Sequence, residues 1–365
     1  MVAAFKKGGD MAAMQKVFDG HNDFLLRLMK NVDQRKSVWL EQNDKGHLDL
    51  PRMRAGGFAG GLFAIFVPPK TDGPPPDFME LMKETPYDLA LPPLMTHDAA
   101  QATALTQAGL MHWMVRMAPN DFGLCLTAAE VSATMAAGKI AGVLHMEGAE
   151  AIGPDLDALY LFHAMGLRSL GPVWSRPTIF GTGVPFRFPG DPDIGPGLTD
   201  LGKDLVRLCN QLRIMVDLSH LNAKGFDDVA EISDAPLVAT HSNAHAISES
   251  ARNLTDDQLD VIRASGGMVG LNFATFFLRP DGRGRTDVGW DVVLSHLDHL
   301  IDRLGEDHVG FGSDFDGCIL PAEIGDVQGL PALQEAMRTH GYSESRIAKI
   351  SHANWVGVLE RTWGA

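Results

Sequence analysis

Cysteine is scarce in this chain: Cys125, Cys209 and Cys318 are the only three among 365 residues, far apart and outside any C-x-x-C spacing. That argues against a disulfide framework and against a thiolate zinc knot, and it fits a reducing cytoplasm. Positive charge is also in deficit. Thirty-one basic against 46 acidic side chains leave a formal net charge of −15, a field that repels phosphate backbones and anionic lipid, so nucleic acid is not an expected partner. Long apolar runs are missing too. The longest, residues 62–67, is far short of the ~20 residues a membrane span needs. No apolar core of a leader peptide precedes Gly8-Gly9-Asp10, and residues 359–365 offer no greasy anchor. The expectation is a soluble protein with no membrane partner.

What is present is an ordinary globular composition, 45% hydrophobic and 21% charged. The length exceeds the ~250 residues typical of one (β/α)8 barrel yet falls short of two average units plus a linker, which favours one domain over residues 1–365. Eight short apolar runs recur, at residues 16–20, 61–67, 140–146, 167–173, 214–219, 237–240, 268–273 and 309–313. Between them lie stretches with apolar spacings of three and four, such as 96–117, 199–212 with Thr199 as N-cap, 256–264 and 292–304. Strand and helix alternating eight times predicts an α/β fold, a closed (β/α)8 TIM-like barrel, whose strands are buried on both faces and need not alternate in polarity. Two stretches read as long irregular loops at the C-terminal rim: 175–197, with five prolines and five glycines, and 68–77, with five prolines.

Metal-binding residue types appear where the runs end, at the rim where such barrels assemble their sites. His21 and Asp23 follow the first run with the spacing of two that puts both on one side of an extended chain. The third run ends in Glu147, the fifth in His220, the sixth in His241 and the eighth in Asp314, which has small neighbours. Any one of these reads as a cap or a solvated strand end; five strand ends supplying such groups point to metal. Three imidazoles and two or three carboxylates exceed the three protein ligands of a mononuclear catalytic zinc, so two ions are expected, with Glu147 the natural bridge and a water between them. Two dications, Asp23, Glu147 and one hydroxide leave a single positive charge, which Asp314 cancels. Other histidines read as structural: His145 one layer down the barrel, His245 in a turn, His296 and His299 on a helix. Cys318 reads as a small core residue.

The motifs Asp19-Gly20-His21-Asn22-Asp23, Arg52-Met53-Arg54-Ala55-Gly56-Gly57, Met146-Glu147-Gly148, Gly197-Leu198-Thr199-Asp200, Asp217-Leu218-Ser219-His220, Thr240-His241-Ser242, Arg252-Asn253, Gly312-Ser313-Asp314-Phe315-Asp316-Gly317 and Asn354-Trp355 occur in this order along nearly the whole chain. In them the chain resembles the membrane (renal) dipeptidase family of binuclear zinc peptidases, within the amidohydrolase-type barrels. The resemblance implies two Zn2+ per chain, one on His21 and Asp23, the other on His220 and His241, with Glu147 bridging. It implies that Arg252 grips the terminal carboxylate of a dipeptide and that Asp314, near the nucleophilic water, passes a proton to the leaving nitrogen.

One departure stands out. Where many members carry a histidine after the fourth strand, this chain has Trp174, in Leu170-Gly171-Pro172-Val173-Trp174-Ser175. Polarising the substrate carbonyl then falls to zinc or to Arg176, and Trp174 joins the substrate-binding residues. The expected activity is zinc-dependent hydrolysis of short peptides, D-residues at the C-terminal position included, by a metal-bridging hydroxide. Hydrolysis of cyclic amides, lactams or N-acyl amino acids is the enzymatic alternative, and an inactive metal- or peptide-binding relative the non-enzymatic one. A homodimer stays open as the assembly.

Overall fold

Each of the eight apolar runs holds a parallel strand, because a strand covered by helices outside and by side chains inside has no wet face to mark with polar residues. The computed structural model describes residues 14–69 and 77–364; residues 70–76 of the proline-rich stretch, and the first thirteen residues, lie outside them. The strands are β1 (Val17–Asn22), β2 (Phe58–Phe66), β3 (Ile140–Glu147), β4 (Leu167–Gly171), β5 (Met215–Val216), β6 (Val238–Ala239), β7 (Met268–Leu271) and β8 (Val309–Phe311). They lie in the order β5-β4-β3-β2-β1-β8-β7-β6, and every neighbouring pair is parallel. The two ends of that order, β5 and β6, meet at an isolated parallel bridge from Asp217 to Val238, which makes the barrel nearly closed.

Several runs overestimate their strands. Of 214–219 only Met215–Val216 is regular strand and Asp217 makes the single bridge to Val238, since beyond it the chain turns to present side chains to the mouth. The helices follow the expected spans: His97–Met117, Asp256–Ala264, Trp290–Leu304, and Asp200–Leu212, where the Thr199 hydroxyl accepts from the Gly202 N–H as N-cap. Three short strands lack a sequence signal: Phe122–Leu124, which extends the sheet beside β3, and the antiparallel pair Tyr87–Asp88 with Arg187–Phe188, which ties the 175–197 loop to an earlier one.

The barrel's lower interior is closed by Trp355, fully buried, whose indole N–H donates to the Phe311 carbonyl at 2.9 Å. It fits because glycines face it: a Cβ on Gly20 would lie 2.3 Å from its ring. Filling the bottom with one large aromatic leaves polar residues to the top. Among the described residues no helix is long and apolar enough to cross a membrane.

Candidate functional site

His21 lies near the end of β1 and Asp23 just beyond it, where the Asp23 N–H donates to Phe315 O at 2.8 Å and fixes the carboxylate over the mouth. Glu147 is the last residue of β3. His220 and Asp314 follow β5 and β8 in left-handed backbone, φ 69° and 60°, as does Asp316 at 66°. Non-glycine residues held there store local strain, commonly ~1–3 kcal/mol each, and three of the five such residues described surround this mouth. Gly317 makes room: a Cβ there would come within 2.1 Å of Asp23 Oδ2 and 2.3 Å of Asp314 Oδ1.

The structure brings His21, Asp23, Glu147, His220, His241 and Asp314 together. Glu147 divides its two oxygens between two groups. Oε1 lies 3.0 Å from His220 Nε2 and 3.3 Å from His241 Nε2, which are themselves 3.2 Å apart. Oε2 lies 3.7 Å from His21 Nε2, which is also 3.7 Å from Asp23 Oδ2. Donor atoms of His21, Asp23 and Asp314 lie within 4.8 Å of one another. Ligands about 2.0–2.1 Å from a tetrahedral ion are about 3.3 Å from each other, so the first trio already has the spacing of a coordination edge.

Burial sets the electrostatics. It raises the Glu147 carboxyl well above its ordinary value, with Asp23 and Asp314 adding to the rise, and it lifts Asp23 to about 7 and Asp314 upward. It also drives His21 down and His220 and His241 well down, keeping the imidazoles neutral. Both ring nitrogens of His21 and Oδ1 of Asp23 are buried with no hydrogen-bond partner among the described residues. Neutral imidazoles, carboxylates that burial penalises and orphaned lone pairs are what a cation would satisfy, so the residues fit a metal.

A cavity of about 570 Å³ opens over this floor. Asp23, Glu147, His220 and Asp314 line one side; Phe66, Phe78, Trp174, Phe186, Phe276 and Phe277 line much of the other. Trp174 packs edge-on against Phe66 and Phe186, at 4.9 and 5.6 Å between ring centres, which makes it a wall of this cavity. Arg252 is buried behind this wall and, like Arg176, is not among the lining residues: Nη1 donates to Ser242 Oγ at 2.7 Å, Nη2 to the His241 carbonyl at 2.9 Å, while Nε has no hydrogen-bond partner among the described residues. Its guanidinium sits 5.7 Å from the Phe277 ring.

Arg176, expected at the substrate carbonyl, is elsewhere. It is fully buried, pairs with Glu150 through Nε at 3.0 Å and Nη2 at 2.6 Å, donates to Val67 O, and is absent from the cavity lining. A buried carboxylate 26 residues earlier holds Nε and Nη2, while Nη1 is buried without a hydrogen-bond partner among the described residues, and the guanidinium lies behind the Trp174 ring at 5.7 Å. His145 bonds Ser169 Oγ through Nδ1, His245 reaches Gly190 O, and His296 joins Ala244 N and Leu278 O. Sequence reasoning missed Asn272, whose amide donates to Asp314 Oδ2 at 3.0 Å; the signal was a polar residue inside the apolar run 268–273. It also missed Ser175 and Thr240, whose hydroxyls lie 2.8 Å from Nδ1 of His220 and His241.

The model of the membrane dipeptidase family, peptidase family M19, matches residues 7–363. The chain is 63% identical to the crystal structure of dipeptidase AC, a metallo peptidase of family M19, over 97% of this chain and all of that one, with a TM-score of 0.94. It is equally identical, at the same TM-score, to a metallo peptidase from Rhodobacter sphaeroides liganded with a phosphinate mimic of the dipeptide L-Ala-D-Ala, over 96% of this chain and all of that one. It is 27% identical over 347 residues to dipeptidase tcpJ of Claviceps purpurea, covering 93% of this chain and 76% of that one. A family match over almost every residue, joined to a buried metal-competent cluster under an open cavity, makes this chain a member of the membrane dipeptidase family, peptidase family M19, and a metallo-dipeptidase.

Proposed function

We propose that the protein hydrolyses dipeptides, including those with a D-residue at the C-terminal position, with two Zn2+ held by His21 and Asp23 on one side, His220 and His241 on the other, and Glu147 between. The observation carrying this is the division of the Glu147 oxygens, one toward each set of imidazoles. When bound, the ions supply Lewis acidity and bring the pKa of water to about 7. The chain's own residues do the rest. Asp314 at the cavity floor accepts a proton from the attacking water and delivers it to the leaving nitrogen. Arg252 offers charge to a free carboxylate, its unpartnered Nε leaving donor capacity to spare. The aromatic wall excludes water and covers apolar side chains. The D-residue reading is supported by the ligand of the similar Rhodobacter sphaeroides structure. Three buried free cysteines support the cytoplasm as the compartment.

Stripping the protein with a chelator is expected to abolish hydrolysis of L-Ala-D-Ala, and adding zinc to restore it as two ions per chain are taken up. Full activity after verified metal removal would overturn the proposal, and turnover of a lactam or an N-acyl amino acid in preference to any dipeptide would replace its substrate class. Within the same panel, Arg252→Met is expected to raise KM for dipeptides about 10–100-fold, the worth of a charged hydrogen-bonded contact. Dipeptide amides, lacking the carboxylate, should change little; equal losses on both would remove Arg252 from that role.

A further inference from the structure

The seam between β5 and β6, where the barrel closes, is held by a carboxylate that also reaches the metal cluster. Asp217 Oδ1 accepts from the Ser219 N–H at 2.9 Å and the Thr240 N–H at 2.8 Å, so one side chain clasps both strand ends. Its Oδ2 lies 2.6 Å from Thr240 Oγ1, and that hydroxyl lies 2.8 Å from His241 Nδ1. All four residues, Asp217, Ser219, Thr240 and His241, are buried, so water does not substitute for a missing partner. The remaining neighbour of the hydroxyl, Ser219 Oγ, is at 3.5 Å, and that oxygen accepts the His241 N–H at 3.1 Å.

A threonine hydroxyl has one hydrogen and two lone pairs. With its hydrogen given to the carboxylate, it can only accept from His241, and Nδ1 must therefore carry the ring proton. Nε2 is then the lone-pair nitrogen, and it is Nε2 that faces Glu147 Oε1. We infer that Asp217 and Thr240 are positioning residues that lock His241, through a carboxylate–hydroxyl–imidazole relay across the barrel seam, in the one tautomer able to bind a metal through Nε2. The relay spares the site the choice between two neutral tautomers of equal shape and holds the ring against rotation. His220 has a hydroxyl partner in Ser175 at 2.8 Å, but among the described residues no third group directs that hydrogen, so the assignment is made for His241 alone.

The inference rests on the metal reading of the site, and the test separates the two. Zinc affinity is measured by chelator competition for the wild type, Thr240→Val, which keeps shape and loses the hydroxyl, and Thr240→Ser, which restores it. Removing such an outer partner is expected to weaken one of the two zinc ions about 10–100-fold in Thr240→Val, with Thr240→Ser close to wild type. In parallel, the 15N spectrum of histidine-labelled, zinc-loaded wild type, assigned by the signal lost in His241→Gln, should show a protonated Nδ1 and a metal-bound Nε2 for His241. Wild type that takes up no zinc defeats the metal reading. Wild type that binds two ions while Thr240→Val binds both as tightly, or a His241 Nδ1 without a proton, overturns the relay. Should Thr240→Val fail to fold, the wild-type spectrum alone decides.

Discussion

Replacing Glu147 by glutamine is expected to lower dipeptide hydrolysis by a factor on the order of 10³ or more and to leave fewer than two zinc ions bound per chain. The amide keeps the shape of the side chain, so the cavity and the barrel end are not disturbed. It removes one negative charge and one of the two oxygens that face the separate imidazole groups. At an effective dielectric near 20, a unit charge about 4 Å from a monovalent cation is worth about 4 kcal/mol, already about three decades, and a dication doubles the interaction. Metal analysis and steady-state rates at saturating zinc check the two halves together; a Glu147→Gln protein that holds two ions and turns over normally would remove Glu147 from the bridge.

The metal-free proteins should differ in the opposite sense. Burial raises the folded-state pKa of Glu147 well above its ordinary 4.5, so the native state binds a proton that the unfolded chain releases. Its contribution to stability is present below pH 4.5 and is lost as pH rises toward the folded value. Glutamine cannot ionise and carries no such dependence. Chemical denaturation of chelated samples should therefore show Glu147→Gln gaining on the wild type as pH increases from about 5 to 8. An unchanged difference across that range would mean the carboxylate is solvated in the metal-free state.

How much of this was legible in the sequence follows from which contacts are local. Buried parallel strands leave continuous apolar runs, so all eight could be located, and in this architecture a strand's end is also the rim. His21, Asp23, Glu147, His220, His241 and Asp314 could therefore be gathered from their positions alone, without knowing any pairing. Contacts set by lateral register were not legible. Arg176 follows a strand end as His220 does, yet its direction is decided by Glu150, across two strands. The Asp217–Thr240 clasp depends on β5 and β6 lying side by side at the closure, 23 residues apart in sequence. The cavity wall draws Phe66, Phe78 and Phe186 from three separate segments. No periodicity links them, because Phe66 ends β2 while Phe78 and Phe186 belong to connections whose paths are fixed only by packing.

Asp314→Asn is expected to lower kcat by about 10²–10⁴, the usual worth of a positioned general acid–base, while zinc content stays near two per chain. Asp314 Oδ2 accepts from the Asn272 amide and its backbone N–H donates to His21 O at 3.0 Å, so the side chain is oriented from behind. An asparagine there would turn its oxygen to the Asn272 donor and its NH2 toward the cavity, where it can donate but cannot take a proton. The same carboxylate lies within reach of His21 and Asp23 donor atoms, close enough to serve as a ligand instead. Metal content separates the roles. A variant that keeps both ions, binds dipeptides with little change in KM and loses kcat places the proton on Asp314. A variant that loses an ion together with its activity, and recovers at high zinc, makes Asp314 a ligand and leaves the proton transfer to another group. Asn272→Leu, which removes the orienting donor and keeps the carboxylate, should follow the first pattern with a smaller loss, about 10-fold, because the acid remains but its direction is no longer held.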